Sequence, residues 1–175
     1  MPNHVTNKLV VVGVDAKSIL DSLKSDDSEF DFNKVIQMPE ELGDTTYPSQ
    51  ERNPKLTRKY GFDNWYEWAL HNWGTKWNAY DITRVSDNEV KFDTAWSCAS
   101  NIVQELSKQH QDQNFVLTFA DEDIGRNCGI LTFKDGKRLS FEDKSIGKLE
   151  SKEATIRWAL TVKYGSDDSY EEYLS

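Results

Sequence analysis

The chain has 175 residues, 29 % of them charged, and a formal net charge of −9; this length fits one domain, and the acidic excess opposes binding to phosphate backbones. A mean hydropathy of −0.72 would suit a disordered chain, but six Trp, seven Tyr and eight Phe supply apolar area that disordered chains lack. No apolar run reaches the roughly 18 residues of a membrane span, no secretory signal opens the chain, and Cys98 and Cys128 make neither a disulfide framework nor a zinc site, so a cytoplasmic protein without metal or cofactor is expected.

The first strand is expected over Val5–Gly13, on the apolar run Leu9-Val10-Val11-Val12. Asp15 can cap a short helix that carries Ile19, Leu20 and Leu23. Between Pro39 and Gly61 no period is visible, and Pro39, Gly43, Pro48 and Pro54 interrupt polar sequence. A mobile loop is expected there. Asn64 with Glu67 three residues on has capping-box spacing for a helix that presents Tyr66, Leu70 and Trp73 on one face and ends at Gly74.

Strands follow at about 76–84 and 89–96, the second alternating Val90, Phe92, Thr94 and Trp96 against Lys91 and Asp93. Ser97 is placed to cap a helix with the stripe Ala99, Ile102, Val103 and Leu106. Phe115, Leu117 and Phe119 mark another strand, and Asp135-Gly136 closes a hairpin between 130–133 and 138–141. A last helix runs from about Lys152 to Tyr164, and the acidic tail 166–175 is expected to fray.

With residues 26–75 set aside, the order is strand, helix, strand, strand, helix, strand. This is the ferredoxin-like split βαβ arrangement: an α+β domain with an antiparallel sheet, helices on one face, and an extension by the C-terminal hairpin and helix. The whole of 1–175 reads as one such domain, with a loop and helix insertion at about 26–75 and a C-terminal extension from about 128. RNA-recognition domains share this topology, and Lys8–Gly13 superficially resembles their first strand. The third strand, Glu89-Val90-Lys91-Phe92-Asp93-Thr94, lacks their basic and aromatic array.

Trp73-Gly74-Thr75-Lys76-Trp77-Asn78-Ala79-Tyr80-Asp81 is the densest segment. Its indoles can wall a small-ligand pocket with Lys76 and Asn78 orienting a polar group, or the tryptophans can be core while Lys76 points outward. Asp121, Glu122 and Asp123 at a strand end can pair with Lys76 or His4, or form a solvated turn; they lack the alternation of a calcium loop. His4 is a candidate general base, but no nucleophile can be tied to it, and no P-loop or dinucleotide fingerprint is present.

These residues have a pattern. Pro2-Asn3-His4-Val5-Thr6-Asn7, Phe32-Asn33-Lys34 leading to Met38-Pro39, Trp73–Ala79, Phe92-Asp93-Thr94-Ala95-Trp96, and 121–129 resemble the YubB-like family carried by phages and plasmids. That resemblance implies a ferredoxin-like domain in a bacterial host cell and brings no known reaction. It also implies that Asn3, His4, Asn7, Lys76, Trp77, Asn78, Trp96, Asp121, Glu122 and Asp123 share a ligand or partner site.

The function expected is a non-enzymatic binding protein of a mobile element. It would engage a host protein, including one of host defence, or sequester a small polar ligand such as a nucleotide. The alternative is a small-substrate enzyme using His4 and the Asp121–Asp123 carboxylates. Antiparallel pairing is expected to set Asn3 and His4 beside Trp96, to return the three carboxylates to His4, and to wall a pocket with Trp77 and Trp96.

Overall fold

The computed structural model describes residues 3–48 and 51–174. The elements are β1 (His4–Val12), α1 (Ala16–Ser22), a 3₁₀ turn (Phe32–Lys34), α2 (Glu40–Gly43), α3 (Pro54–Tyr60), α4 (Trp65–Asn72), β2 (Tyr80–Ser86), β3 (Glu89–Ala95), α5 (Ser100–Gln109), β4 (Asn114–Asp121), β5 (Cys128–Lys134), β6 (Lys137–Asp143), α6 (Lys152–Tyr164) and α7 (Tyr170–Leu174). The strands form one six-stranded sheet in the order β2-β3-β1-β4-β5-β6, antiparallel at every pairing. Its first four strands have the ferredoxin-like order with β1 and β3 central, and the hairpin β5–β6 extends the sheet past β4. The α+β ferredoxin-like expectation holds.

Alternation along β1 sends Val5, Asn7, Leu9 and Val11 to one face, where Leu117 and Phe119 of β4 and Val90 and Phe92 of β3 join them by register. Helices α1 and α5 cover this face through Ile19, Leu20, Ile102, Val103 and Leu106, all buried in one core. Asn7 is fully buried among them. Its Nδ2 donates to Thr94 Oγ1 at 2.8 Å and to the Val5 carbonyl at 2.9 Å, while its Oδ1 accepts from the Ala99 N–H at 3.1 Å. That last bond caps α5. The expected Ser97 cap is absent, because Thr94 Oγ1 holds the Ser97 carbonyl at 2.7 Å and the N-cap residue is Ala99.

The insertion is part of the core. Phe30, Phe32, Leu42, Trp68 and Trp73 are buried with the sheet residues. The segment expected to be a mobile loop contains α2 and α3, and Leu42 in α2 is fully buried. Asn53 Oδ1 accepts from Lys55 N and Leu56 N at the start of α3, where Pro54 fills the first turn. Such short helices bury too few residues to display a period. In α4 the expected Asn64 cap on Glu67 N is present, but the buried face is Trp68, Ala69 and Trp73 rather than Tyr66, Leu70 and Trp73. Tyr66 instead stacks on Tyr47 at 4.0 Å between centroids.

Strand β2 begins at Tyr80, four residues later than expected, because the preceding residues are bonded in a turn. Thr75 Oγ1 donates to the Trp77 carbonyl. Asn78 Oδ1 accepts from Phe32 N and Ala79 N, and its Nδ2 donates to Asp31 Oδ1 at 2.7 Å. The hairpin turn has Asp135 at φ 48° and Gly136 at φ 69°, the left-handed pair expected of Asp-Gly.

Helix α6 lies on the sheet face opposite α5. Lys163 Nζ reaches Thr6 Oγ1, and Ala120 and Cys128 pack with Ile156, Ala159 and Leu160 in a second cluster. The tail does not fray as expected. It forms α7, with Tyr173 OH donating to the Ile124 carbonyl at 3.5 Å and the Arg157 guanidinium lying 4.0 Å from the Tyr170 ring centroid. No helix among the described residues is long and apolar enough to cross a membrane.

Asn7→Ala deletes three buried hydrogen bonds and leaves the Ala99 N–H and the Thr94 hydroxyl without this partner. Urea unfolding is expected to show a loss of about 2–4 kcal/mol. A loss below about 0.5 kcal/mol, the usual range of a surface change, would contradict the bracing role.

Candidate functional site

Register brings the proposed site residues to one end of the sheet. His4 lies opposite Ala95, Val5 opposite Asp121 and Tyr80 opposite Asp93, so the start of β1, the ends of β3 and β4 and the start of β2 coincide. Within that end the side chains divide into three groups. Two others, Asn7 and Asn78, belong to none of them: their polar atoms are spent on capping α5 and on tying the insertion to β2.

The first group surrounds Asp121, which is only 4 % exposed. Its Oδ1 accepts from Asn3 Nδ2 at 3.2 Å and from Asp123 N at 3.0 Å, and its Oδ2 accepts from Asn127 Nδ2 at 2.8 Å. Asn127 Nδ2 also donates to the Trp96 carbonyl at 3.3 Å, and Trp96 N donates to the Asn3 carbonyl at 2.9 Å. Both carboxylate oxygens are therefore occupied in a knot of three strand ends. Glu122 and Asp123 point to solvent: Glu122 is fixed through its N–H on the His4 carbonyl, and Asp123 pairs with Arg126 at 3.6 Å. The expected contact of His4 with a carboxylate is not formed; Asn3 takes that place.

The second group lies on the α6 face. His4 Nδ1 is 2.6 Å from the Tyr80 hydroxyl. Burial, aided by the charges of Asp93, Asp81 and Glu122, pushes the phenol up to about 12. It therefore keeps its proton at neutral pH, and the neutral phenol and the imidazole share one hydrogen bond. Beside it Lys163 enters from α6, only 8 % exposed, and donates to the His4 carbonyl and to Thr6 Oγ1, each at 3.2 Å. Lys91 in turn donates to the Lys163 carbonyl at 2.5 Å. Sequence gave no sign of Lys163, because a lysine near a helix end reads as solvated. Tyr80 and Asn127 lie within the stretches 73–81 and 121–129, but nothing in the sequence sets them apart from their neighbours there.

The third group is aromatic. Lys76 Nζ sits 4.7 Å from the Trp77 ring centroid and 5.0 Å from that of Trp96, a cation held against two indoles. Tyr66 meets Trp96 edge-on at 6.1 Å and stacks on Tyr47. Trp77, Trp96 and Tyr47 are 37 %, 40 % and 46 % exposed. The two tryptophans do flank Lys76 as expected, but they form an open surface rather than the walls of a pocket shared with His4 and Asp121.

His4 is engaged by Tyr80 and Asp121 by its amide partners. Burial pushes both thiols, Cys98 and Cys128, up to about 11, so neither offers a thiolate at neutral pH. Among the described residues no group of three His, Cys, Asp or Glu side chains is placed to hold a metal ion.

Residues 72–158, from the last residue of α4 to the middle of α6, match a family described as the ferredoxin-like domain in Api92-like protein. The matched stretch holds β2 to β6 and α5, while β1, α1 and most of the insertion precede it. The match supports a ferredoxin-like family of unknown function, and a YubB-like assignment or a phage or plasmid origin goes beyond it. No curated protein and no solved structure matches the chain.

Burial holds Lys163 below its ordinary value of 10.5, and the charges of Asp93, Asp121 and Glu122 offset this only in part. Between the depressed value and 10.5 the unfolded chain binds more protons than the folded one, so the contribution of this site to stability rises with pH across that window. Urea unfolding at about pH 8 and about pH 10 should show the native chain gaining on Lys163→Met as pH rises. An identical pH dependence in the two proteins would mean that the amine titrates as an exposed lysine does.

Proposed function

We propose that this protein is a non-enzymatic binding module that engages a basic partner protein through the aromatic surface centred on Trp96. The observation that carries the proposal is the backbone of Trp96, which stands at φ 72°. A bulky side chain in the left-handed region costs roughly 1–3 kcal/mol, and such conformations gather at sites where the strained side chain is used. Here the conformation is held from both sides, by Asn3 on the N–H and Asn127 on the carbonyl, and it presents an indole that is 40 % exposed.

The residues around it are suited to recognition. Trp and Tyr dominate binding hot spots because they bury large area at low conformational cost; Trp77 and Trp96 flank Lys76, Tyr66 meets Trp96, and Tyr47 stacks on Tyr66. The parts of the indole and phenol rings not covered by Lys76 or by each other can accept stacked guanidinium groups, and the net charge of −9 steers basic surfaces toward the chain. For a protein carried by a phage or plasmid, the fitting partner is a host protein, among them defence components, whose nucleic-acid-binding surface is covered on association.

The small-ligand reading has one observation of its own. A cleft of about 330 Å³ between α6 and the start of β2 is lined by Thr6, Thr83, Lys91, Asp93 and Lys163. Its two ammonium groups already serve carbonyls and Thr6, and Asp81 and Glu122 also face the space. A nucleotide phosphate would meet three carboxylates there, so the aromatic surface is favoured.

Tagged protein recovered from expressing bacteria at about 150 mM salt, where exposed charges are screened beyond about 8 Å, should carry a basic protein partner. Trp96→Gly relieves the backbone strain and removes the indole. It should melt within about 5 °C of the native chain while recovering at least about tenfold less partner, as loss of a hot-spot side chain implies. Lys91→Ala, in the cleft, should leave recovery unchanged. Undiminished recovery by Trp96→Gly, or release of a nucleotide whose yield falls with Lys91→Ala, would overturn the proposal.

A further inference from the structure

We infer that Trp77 and Trp96 form a two-walled receptor for one arginine guanidinium of the partner, and that Lys76 fills this receptor in the free protein as a displaceable stand-in. This role rests on the reading of the Trp96 surface as the binding surface, to which it adds the group that is bound and the group that leaves. Lys76 Nζ lies 4.7 Å from the Trp77 ring centroid and 5.0 Å from that of Trp96. Both distances fall inside the roughly 6 Å over which an aromatic face attracts a cation. The receptor is therefore seen with a cation in it, supplied by the chain itself.

How that cation is held sets it apart from the others that stand over rings. Lys59 Nζ is 4.8 Å from the Tyr60 centroid and also pairs with Glu41 at 2.7 Å. Arg157 lies 4.0 Å from the Tyr170 centroid and pairs with Glu153 and Asp167, each at 2.8 Å. Among the described residues no carboxylate lies within salt-bridge distance of Lys76. Removing Lys59 or Arg157 from its ring would leave a carboxylate without its cation. Removing Lys76 leaves only indole faces, which an incoming cation covers again, while the released ammonium regains its water.

The two walls are fixed and the stand-in is not. Trp96 is bonded through its N–H to Asn3 and through its carbonyl to Asn127. The Trp77 carbonyl accepts from Thr75 Oγ1 at 2.8 Å, and Thr75 is fully buried. The next residue, Asn78, is tied to Phe32 N and Asp31 Oδ1. Both indoles thus stand on braced backbone, whereas the half-buried Lys76 side chain hangs on a flexible four-carbon stem. A receptor ordered before binding loses little freedom when its ligand arrives.

The chemistry of the exchange selects arginine. A guanidinium is planar, more weakly hydrated than an ammonium, and stacks on aromatic faces, so it replaces a lysine of equal charge between two indoles. The net charge of −9 raises the local concentration of cationic groups and assists its arrival.

Titration with N-acetyl-arginine amide at about 150 mM salt, followed by the indole N–H resonances of Trp77 and Trp96, tests the exchange. Both resonances should shift saturably in the native chain. Lys76→Ala empties the receptor and should bind the probe at least about threefold more tightly, as loss of a competing cation–π contact implies. Lys76→Arg keeps the charge but supplies a stronger stand-in, and should bind at least about twofold more weakly. Lys137→Ala, in β6 at the far edge of the sheet, removes the same charge and should leave the affinity unchanged. Binding by Lys76→Ala no tighter than by Lys137→Ala, native affinity in Lys76→Arg, or no shift of either resonance would overturn the inference. If those failures accompany partner recovery that still depends on Trp96, the exchange falls and the binding surface stands. If the probe affinities follow the expected order but no basic protein is recovered, the receptor stands and the proposed partner falls.

Discussion

The carboxamide of Asn7 stands at the middle of the central strand, and three elements depend on where it points. It supplies the first capping acceptor of α5 through Ala99, fixes Thr94 of the neighbouring strand, and ties back to its own strand at Val5. A buried amide of this kind is worth little net energy when satisfied and costs much when a partner is lost. Its effect is on specificity. A slip of one residue in β1 would move Asn7 to the other face together with Val5, Leu9 and Val11, so the amide and the apolar run select the same register.

That register positions the far end of the sheet. Because His4 lies against Ala95 and Val5 against Asp121, the carboxylate of Asp121 can gather Asn3, Asp123 and Asn127. The same knot holds Trp96 by its own N–H and carbonyl. The strain at Trp96 is sustained by hydrogen bonds made elsewhere, and the folding free energy of the sheet is partly used to keep an indole facing outward. Both oxygens of Asp121 are thus engaged in fixing the strand end that carries Trp96.

Sequence displayed the parts of this molecule that repeat along the chain and hid those that meet across it. Alternation in Val90-Lys91-Phe92 and Phe115–Phe119, the Asp135-Gly136 turn, and the stops at Gly74 and Gly165 are local signals, and they yielded the ferredoxin-like order and its hairpin extension. Helices α2 and α3 were illegible because an element of one or two turns has no period; Leu42 and Asn53 announce them only once their partners are known. The motif residues Asn3, Lys76, Trp77, Trp96 and Asp121 were found together at one end of the sheet, but their division into a brace and a surface depends on side-chain direction. Asn7 and Asn78 looked like binding groups because polar side chains in strands are conspicuous, whereas here they satisfy buried backbone. Lys163 left no trace, since its burial arises from the docking of α6 alone.

The docking of α6 also separates this domain from others with the same strand order. In a ferredoxin-like sheet the face opposite the crossover helices is open, and RNA-binding members use central-strand aromatics there as a stacking platform. On that face β1 presents His4, Thr6, Lys8 and Val10, and β3 presents Glu89, Lys91 and Asp93. Only His4 has an aromatic ring, and that ring is held by Tyr80 beneath the end of α6. The ammonium of Lys163 is turned inward onto the His4 carbonyl and Thr6, where it cannot serve a phosphate backbone. Helix α6 covers one end of this face, and a group of exposed aromatic side chains stands at the β2–β3 end of the sheet around Trp96. The topology is shared, but in this chain an aromatic cluster stands at the strand ends, where the insertion supplies Tyr47 and Tyr66 and the turn before β2 supplies Lys76 and Trp77.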